Sequence, residues 1–307
     1  MFHTLSGQPV SKYSFGCMQF GGTADEATSA ALYTACRNAG ISFFDTAYGY
    51  TEGRSETFLG RFLASERDDV FVATKCAYSG ASAGAITEQI TESRQRLGID
   101  VIDLLYLHRW DDDVPLEETL SALAGPVAEG VVRHIGVSNF ASWQVMKARF
   151  MAQSLGFDIV ALQPMYNLVK RQVEVELLPM AVSEGMVVCP YSPLGGGLLT
   201  GKYQAGGKGR ISQDARYAAR YAPQWMTDTA VGLSKLAAKV GCDPATLAVA
   251  WAAHHSGVFG PIISARTVTQ LEPSLAAIDF LMEDELYQSV SSLSPTPPPA
   301  TDRIEEV

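Results

Sequence analysis

One repeating pattern limits the folds open to this chain more than any other feature. Short apolar runs, in which hydrophobic residues are consecutive, alternate with longer stretches whose apolar residues recur with the 3.6-residue period of a helix. The apolar runs lie at residues 13–18, 41–45, 70–75, 101–107, 134–137, 159–163, 187–190 and 260–264. The amphipathic stretches include residues 27–39, 55–63, 85–97, 116–129, 142–153 and 172–184. Consecutive apolar residues are typical of strands buried on both faces of a parallel sheet.

A strand followed by a helix, repeated eight times, predicts a parallel sheet with its helices outside. A closed (β/α)8 barrel, or TIM barrel, of the α/β class fits both the count of strands and the length of 307 residues. An open doubly wound sheet is the alternative that the pattern alone leaves open.

Three segments depart from the repeat. Residues 1–10 predict an N-terminal β-hairpin that closes the bottom of the barrel. Residues 194–226 predict a long glycine-rich loop after the seventh strand, and loops of that length are usually functional or disordered. Residues 281–291 predict an extra C-terminal helix. We therefore predict one catalytic barrel domain over residues 1–293 and a proline-rich, disordered tail over residues 294–307.

Charge and cysteine content bear on the partners and the compartment of the protein. The net charge of -10 argues against nucleic acid and anionic membranes as partners, because both bind basic surfaces. The five cysteines are odd in number, widely spaced and lack a Cys-x-x-Cys pair, which favours reduced thiols in a cytoplasmic protein. We see no signal peptide, no apolar run of membrane-spanning length and no apolar patch that indicates an oligomer.

Two acidic or histidine-rich features resemble metal ligands only superficially. The run Asp111-Asp112-Asp113 lacks the surrounding oxygen-rich loop of a calcium site. His254 and His255 are consecutive, so their side chains point to different faces. We therefore expect no bound metal.

Four polar residues end, or closely follow, three successive predicted strands. Asp45 and Tyr50 follow the second strand, Lys75 ends the third and His108 follows the fourth. In a barrel the carboxyl ends of the strands form the active-site face, so these four side chains are expected to converge. Each residue alone also has an ordinary interpretation, as a helix cap for the aspartate, a solvated rim residue for the lysine or a structural histidine. Their joint occurrence favours catalysis.

This set of residues suits the protonation of a carbonyl oxygen. A free tyrosine has a pKa near 10, and a neighbouring ammonium group lowers it, so Lys75 is predicted to make Tyr50 a better acid. Asp45 would hold Lys75 charged, and His108 would donate a hydrogen bond to the substrate oxygen. None of these groups donates hydride, so a nicotinamide cofactor is implied.

With these residues in place, several stretches resemble the aldo-keto reductase family, in the family's order and over nearly the whole chain. They are Phe44-Asp45-Thr46-Ala47-x-x-Tyr50, Gly53-x-Ser55-Glu56, Thr74-Lys75, Tyr106-x-His108-x-Trp110-Asp111, Gly136-Val137-Ser138-Asn139-Phe140, Leu162-Gln163-x-x-Tyr166-Asn167, and Tyr191-Ser192-Pro193-Leu194-x-x-Gly197-x-Leu199-Thr200-Gly201-Lys202-Tyr203. The details are closer to the bacterial and potassium-channel β-subunit branch than to aldose reductase.

The resemblance implies a (β/α)8 barrel that holds NADP(H) extended across its mouth. Tyr50 would be the proton donor, and the nicotinamide would lie near Asp45, Cys17 and Met18. The carboxamide would bind to Ser138, Asn139 and Gln163, whereas Tyr191 would stack on the ring. The resemblance further implies a pyrophosphate site made by Ser192, Leu194, Gly196, Lys202 and Arg210. It implies an adenosine 2′-phosphate site made by Ser264, Arg266 and Gln270.

Departures from the family pattern leave NAD(H) open as a cofactor. Pro273 and Ser274 stand where Glu-Asn is common, and Ser264 stands where glycine is usual. The pocket wall is expected to include Met18, Tyr48 and Trp110, with a small-molecule carbonyl compound or alcohol as the substrate.

The leading prediction is an NADP(H)-dependent oxidoreductase that interconverts an aldehyde or ketone and its alcohol, with Tyr50 as general acid and base. The first alternative is a redox-sensing regulatory subunit that binds the cofactor with little turnover. The second is a barrel aldolase that uses Lys75 as a Schiff base, although the segments around Tyr191 and Arg266 have no purpose there.

Overall fold

The computed structural model describes residues 2–301, 303 and 305. Within them, the sheet has eight strands: β1 (Ser14–Gly16), β2 (Phe43–Asp45), β3 (Phe71–Cys76), β4 (Ile102–Leu107), β5 (Val132–Ser138), β6 (Ile159–Gln163), β7 (Val187–Val188) and β8 (Ile262–Ile263). Each one overlaps a predicted strand. The strands pair in parallel in the order β7-β6-β5-β4-β3-β2-β1-β8.

Helices connect the strands and surround the sheet. They are α1 (Glu26–Asn38), α2 (Arg54–Leu63), α3 (Ala83–Leu97), α4 (Leu116–Ala128), α5 (Ser142–Ser154), α6 (Leu177–Ser183), α7 (Arg210–Gln213), α8 (Ala215–Arg220), α9 (Gln224–Val240), α10 (Pro244–His254), α11 (Val268–Leu275) and α12 (Asp284–Ser291). Asp243 caps α10 by accepting a hydrogen bond from Ala245 N, and Pro244 occupies its first turn, where no backbone donor is needed.

The sheet closes on itself through the ends of β7 and β8. The backbone N–H of Phe259 donates to Val188 O at 2.9 Å, and that of Ile262 donates to Pro190 O at 2.8 Å. A parallel bridge between Tyr191 and Ile262 completes the ring. The prediction of a (β/α)8 barrel is confirmed, and the open sheet is excluded by this closure.

Strand register sorts the side chains into an inner and an outer layer. In the parallel pairs, Asp45 lies opposite Ala73, and Lys75 lies opposite Tyr106. Since paired residues point to the same face and side chains alternate along a strand, Asp45, Lys75 and Tyr106 all face the barrel interior. The intervening residues pack outward against the helices, which explains why the strands are apolar on both faces.

The N-terminal hairpin closes the lower end of the barrel, as predicted. His3 and Pro9 form an antiparallel bridge, and Phe2 is buried at its start. The Phe2 ring stacks on Phe71 at a centroid distance of 5.1 Å and lies 4.8 Å from the His134 ring. The lower end of the barrel interior is therefore filled by aromatic rings, which leaves the opposite, carboxyl end of the strands open for a site.

The segment after β7 is a folded insertion. Two 3₁₀ turns, Gly195–Thr200 and Lys202–Ala205, precede the short helices α7 and α8. Positive φ angles at Gly195, Gly196 and Gly197 allow the chain to turn sharply there. Thus much of the predicted loop has secondary structure.

The predicted sixth helix and the C-terminal segment differ in detail from expectation. Residues 172–184 divide into a 3₁₀ turn and α6, in which Pro179 occupies the first turn. The extra helix α12 is present, and residues 295–299 have no regular secondary structure. Part of the tail at residues 294–307 lies outside the described residues, and its disorder stays a prediction. In the part of the chain described, no helix is long and apolar enough to cross a membrane.

Candidate active site

Asp45, Lys75 and Tyr50 meet at the carboxyl end of β2 and β3. Lys75 Nζ donates to Asp45 Oδ1 and to the backbone oxygen of Thr46, the latter at 2.7 Å. The distance from Lys75 Nζ to Tyr50 Oη is 3.3 Å, and the ammonium lies 4.9 Å from the Tyr50 ring centroid. The ammonium therefore lies between a carboxylate and a phenol, as the strand ends predicted.

Burial and charge pairing have opposite effects on the pKa values of Lys75 and Tyr50. Burial disfavours the charge on Lys75, but Asp45 and Tyr50 outweigh it and hold the pKa of Lys75 above its usual value. Burial also raises the pKa of Tyr50, and the Lys75 charge only partly offsets that rise. Lys75 thus lowers the pKa of Tyr50, as predicted, but the pKa still lies above its usual value, because desolvation of the phenolate exceeds the stabilisation by the ammonium.

His108 joins the cluster from the end of β4. Its ring lies 5.8 Å from the Tyr50 ring in an edge-on arrangement, and its Nδ1 atom is buried without a hydrogen-bond partner in the described part of the chain. Burial, together with the charges of Lys75 and Arg109, lowers the pKa of His108 to about 3. The imidazole is therefore neutral at physiological pH, with one nitrogen that donates a proton and one that accepts.

These contacts argue against the Schiff-base alternative. A lysine that attacks a carbonyl must be a neutral amine, and such lysines usually have a lowered pKa. Lys75 instead has a raised pKa and donates hydrogen bonds to Asp45 and Thr46. Its chemistry here is that of a fixed positive charge.

A group of amide and hydroxyl side chains borders the cluster on the side of β5 and β6. Gln163 Nε2 donates to Asp45 Oδ2 at 2.7 Å, and Ser138 Oγ donates to Gln163 O at 2.8 Å. Asn139 Oδ1 accepts a 2.7 Å hydrogen bond from Tyr191 Oη, while its Nδ2 atom donates to His108 O at 2.9 Å. The structure thus brings Ser138, Asn139, Gln163 and Tyr191 together, and their assignment to a nicotinamide carboxamide and ring stays a prediction.

Three cations converge beside the glycine-rich insertion. Burial, together with the charges of Arg266 and Arg210, lowers the pKa of Lys202, so both arginines lie within electrostatic range of the lysine. Among the residues described, none of the three forms a salt bridge with a carboxylate. Mutually repelling cations without acidic partners fit a ligand that brings its own negative charge.

The insertion approaches these cations through its glycines. A Cβ atom on Gly197 would lie 2.8 Å from Lys202 Nζ, and one on Gly209 would lie 2.7 Å from it. Ser192 has a positive φ of 60° and accepts a hydrogen bond from Asn167 Nδ2 at 3.0 Å. The predicted phosphate residues Ser192, Leu194, Gly196, Lys202 and Arg210 therefore belong to one compact segment.

The remaining predicted cofactor residues follow β1 and β8, and the last of them, Gln270, lies in α11. Ser264 Oγ donates to Gly16 O at 2.8 Å, next to Cys17, which is buried. Gln270 Oε1 accepts a hydrogen bond of 3.3 Å from Arg266 N just before α11. Met18 is half-buried. These placements are compatible with the predicted roles and leave them as predictions.

Two of the predicted pocket residues lie against helices. Tyr48 packs against α3, where the Arg96 guanidinium lies 4.5 Å from its ring centroid, and its place in the pocket wall stays a prediction. Trp110 packs against Phe140 and Trp143 at centroid distances of 5.4 and 5.5 Å, at the rim beside α5. Its contact with substrate stays a prediction.

Several residues near the site were not predicted from the sequence. Tyr217 of α8 lies against Gly196, where an added Cβ would be 2.9 Å from its ring. Tyr217 also accepts a hydrogen bond of 3.1 Å from Arg210 and raises the pKa of Tyr50, so α8 reaches the barrel mouth. Arg96 lies behind the site and is treated below, together with Glu56 of the Gly53-x-Ser55-Glu56 stretch, to which the sequence assigned no role. No local pattern marks Tyr217 or Arg96, since their places depend on how distant segments pack.

The described residues fit a nicotinamide dinucleotide cofactor and contain no group of three His, Cys, Asp or Glu suited to a metal ion. Three unpaired cations suit phosphates, the glycines leave room for close backbone approach, and the amide and hydroxyl group offers both donors and acceptors. These three groups of residues therefore offer the chemistry expected for the phosphates and the carboxamide of such a ligand.

Comparison with known proteins agrees with this architecture. A model of the aldo/keto reductase family matches residues 12–295. A probable voltage-gated potassium channel subunit beta of Oryza sativa subsp. japonica is 33% identical and aligns with 97% of this chain and 97% of its own. An aflatoxin B1 aldehyde reductase, member 2, of Rattus norvegicus is 33% identical over 90% of this chain and 82% of its own.

A solved structure shares the fold over nearly the whole chain. The glycerol dehydrogenase of Gluconobacter oxydans superposes with a TM-score of 0.82 at 26% sequence identity, covering 95% of each chain. The family match, the relatives and the barrel all point the same way. The chain therefore belongs to the aldo/keto reductase family and is an oxidoreductase.

Proposed function

We propose that this protein reduces an aldehyde or ketone to its alcohol, and catalyses the reverse reaction, with NADP(H) as the cofactor and Tyr50 as the general acid and base. The observation that carries the proposal is the 3.3 Å distance between Tyr50 Oη and Lys75 Nζ, with Asp45 holding the ammonium from behind. Members of the aldo/keto reductase family typically bind nicotinamide cofactors. The cations Lys202, Arg210 and Arg266, which have no carboxylate partner among the described residues, suit a phosphate-bearing one.

Tyr50, Lys75 and His108 have different roles in proton transfer. In the reductive direction the bound cofactor would supply hydride to the carbonyl carbon. Tyr50 is protonated at neutral pH, because the pKa of a phenol is ordinarily near 10 and burial raises it further, and it can give that proton to the developing alkoxide. Lys75 stabilises the Tyr50 phenolate that remains. Neutral His108 can donate a hydrogen bond to the substrate oxygen that receives the proton. In the oxidative direction the Tyr50 phenolate would accept the alcohol proton.

The phosphorylated form of the cofactor is proposed from Arg266 and its neighbours. Arg266 immediately precedes α11, whose N-terminus favours anions, and Lys202 and Arg210 add positive charge. All five cysteines are free, which supports our further proposal of a reducing, cytoplasmic environment.

The decisive experiment replaces the phenol oxygen alone. Tyr50→Phe should keep NADPH binding, measured by fluorescence titration, and should lose about 10²–10⁴-fold in turnover across a panel of aldehydes and ketones. Tyr13→Phe is the matched control, because it also deletes a buried tyrosine hydroxyl, which there donates to Ala277 O. Wild-type turnover by Tyr50→Phe would refute the assignment.

A second candidate function is a regulatory subunit that binds the cofactor and senses its redox state. This candidate is favoured by the relative named as a probable voltage-gated potassium channel subunit beta, which is 33% identical over 97% of this chain. A stable complex with a channel protein, together with negligible turnover in the wild type, would support this function. Turnover that depends on Tyr50 would favour the enzyme.

A further inference from the structure

The segment that carries Tyr50 has a strained backbone. Thr51 and Glu52 have φ angles of 49° and 58°, and Gly53 follows with a φ of 86°. Two consecutive non-glycine residues in the left-handed region are unfavourable, and they persist only where surrounding contacts impose them. We therefore looked for the contacts that hold residues 46–53, which we call the Tyr50 segment.

One side of the Tyr50 segment is fixed by β3. Thr46 N donates to Ala73 O at 2.8 Å, and Tyr48 N donates to Lys75 O at 3.0 Å. The pairing of β2 with β3 thus continues past the end of β2 as far as Tyr48. It sets the backbone of Lys75 beside that of Tyr48, two residues before Tyr50.

The other side is fixed by Arg96, on the last turn of α3. Its Nη1 atom donates to Tyr48 O at 3.0 Å, and its guanidinium lies over the Tyr48 ring. A Cβ atom on Gly53 would lie 2.7 Å from Arg96 Cζ, so the guanidinium fills the space beside the left-handed turn. Arg96 therefore contacts the Tyr50 segment both before and after the catalytic tyrosine.

A buried carboxylate holds the guanidinium in this place. Glu56, which is fully buried, forms an ion pair of 3.4 Å with Arg96 Nη1. Its other oxygen accepts a 2.6 Å hydrogen bond from Thr74 Oγ1, and Thr74 directly precedes Lys75. Glu92 Oε2 accepts a further hydrogen bond of 2.6 Å from Arg96 Nη2.

We propose that Arg96 is a positioning residue, which sets the distance between Tyr50 and Lys75 by tying the Tyr48 carbonyl to the buried pair Glu56 and Thr74. The inference rests on the proposed function, because it assigns a purpose to the geometry of the proton donor. Arg96 touches no reacting atom. It acts from behind the barrel wall, through the backbone on either side of Tyr50.

Three variants separate positioning from simple stabilisation. Arg96→Met should lower kcat by about 10–100-fold, because a small displacement of a proton donor is costly, and should leave the affinity for NADPH unchanged. It should also destabilise the fold by leaving Glu56 charged and buried. Adding Glu56→Gln removes that charge, so the double variant should regain stability without regaining kcat. Arg96→Lys should fall between wild type and Arg96→Met.

Arg94→Met is the matched control on the same helix. Arg94 donates to the backbone oxygen of Asp100, away from the Tyr50 segment, so its loss should leave kcat unchanged. Recovery of kcat in the Arg96→Met/Glu56→Gln protein, or equal losses in the two arginine variants, would overturn the proposal. Tyr50→Phe is measured in parallel, since wild-type turnover by that variant overturns the proposed function and not the positioning role.

Limited proteolysis with trypsin tests the proposal without measuring enzymatic activity. Arg54 directly follows the Tyr50 segment, at the start of α2, and is half-exposed, so trypsin cleaves after it only when the segment opens. Release of the segment in the double variant should speed this cleavage by about tenfold relative to Arg94→Met, as followed by mass spectrometry. An unchanged cleavage rate would show that Arg96 does not hold the segment.

Discussion

The side-chain amide of Gln163 donates a 2.7 Å hydrogen bond to Asp45 across the interior of the barrel. β2 and β6 lie on opposite sides of the closed sheet, with three strands between them in either direction. The carboxylate that orients Lys75 is therefore itself oriented by a residue from the far wall. The proton-donating cluster is fixed by closure of the barrel as much as by neighbouring strands.

Gln163→Leu should remove that support at nearly constant volume. Asp45 is fully buried, and the Gln163 hydrogen bond lowers its pKa, whereas burial raises it. Hydrogen bonds to charged groups contribute about 1.5–3 kcal/mol, so urea unfolding should show a loss of that size. Turnover should fall as well, because Lys75 loses part of the orientation of its counter-ion.

Gln163→Glu provides the contrasting variant. At neutral pH it places a second carboxylate against Asp45, and the two cannot both ionise without cost. Its stability should be lower than that of Gln163→Leu at neutral pH and should recover as the pH falls and the new carboxyl group takes up a proton. A Gln163→Leu protein with wild-type stability would show that the cross-barrel hydrogen bond is not significant.

His108 should make the fold sensitive to mild acid. Its folded pKa of about 3 lies below the ordinary value of 6.5, so the unfolded chain binds more protons between those pH values. Its contribution to stability is thus complete above pH 6.5 and declines as the pH falls towards 3, by at most about 1.4 kcal/mol per pH unit.

His108→Gln should flatten this dependence. His134 and His255 also have lowered pKa values, but both are present in the variant and wild type, so the difference between the two proteins isolates His108. The pH profile of kcat/KM for the wild type should likewise show no inflection near 6.5. Parallel stability curves for the two proteins would mean that the imidazole titrates normally.

Arg266 should decide between the two nicotinamide cofactors. Arg266→Met removes a cation that lowers the pKa of Lys202 and that we assign to the 2′-phosphate. A charge-assisted contact contributes about 1.5–3 kcal/mol, so the Kd for NADPH should rise by about 10–100-fold while that for NADH changes little. Calorimetric or fluorescence titration with both cofactors measures the ratio.

Lys208→Met is the control for overall charge. Lys208 is an exposed cation in the glycine-rich insertion that carries Lys202, and its loss should change the two affinities slightly and equally. If Arg266→Met weakened NADPH and NADH to the same degree, the arginine would not recognise the 2′-phosphate.

Gly136 of β5 should not tolerate a larger side chain. A Cβ atom there would lie 2.5 Å from Tyr106 Cε1 and 2.8 Å from Ala161 O, because the Tyr106 ring fills the interior beside β5. Overpacking of this kind costs about 1–3 kcal/mol or more, so Gly136→Ala should lower the thermal midpoint by several degrees.

Gly84→Ala is the matched substitution at an open position. Gly84 lies in α3, and an added Cβ meets nothing within 4 Å, so the alanine should stabilise the helix by up to about 1 kcal/mol. Equal thermal midpoints for the two alanine variants would show that Tyr106 and β5 move apart easily.

The sequence contained most of the information needed for the strands and for the four catalytic candidates. Asp45, Lys75 and His108 end or follow apolar runs, and the side chains of successive strands meet at one edge of a parallel sheet. Apolar patterns of this kind depend on neighbours within a few residues, so they can be recognised without knowledge of the fold.

Tertiary structure decided what those short patterns do not contain. The bridge from Tyr191 to Ile262 closes the barrel, the side chain of Tyr48 points to α3, and burial raises the pKa of Tyr50. Arg96 is recognised as a positioning residue only once α3 is packed behind the Tyr50 segment. Side-chain direction and loss of solvent depend on segments that are distant in the chain, and only packing brings these segments together.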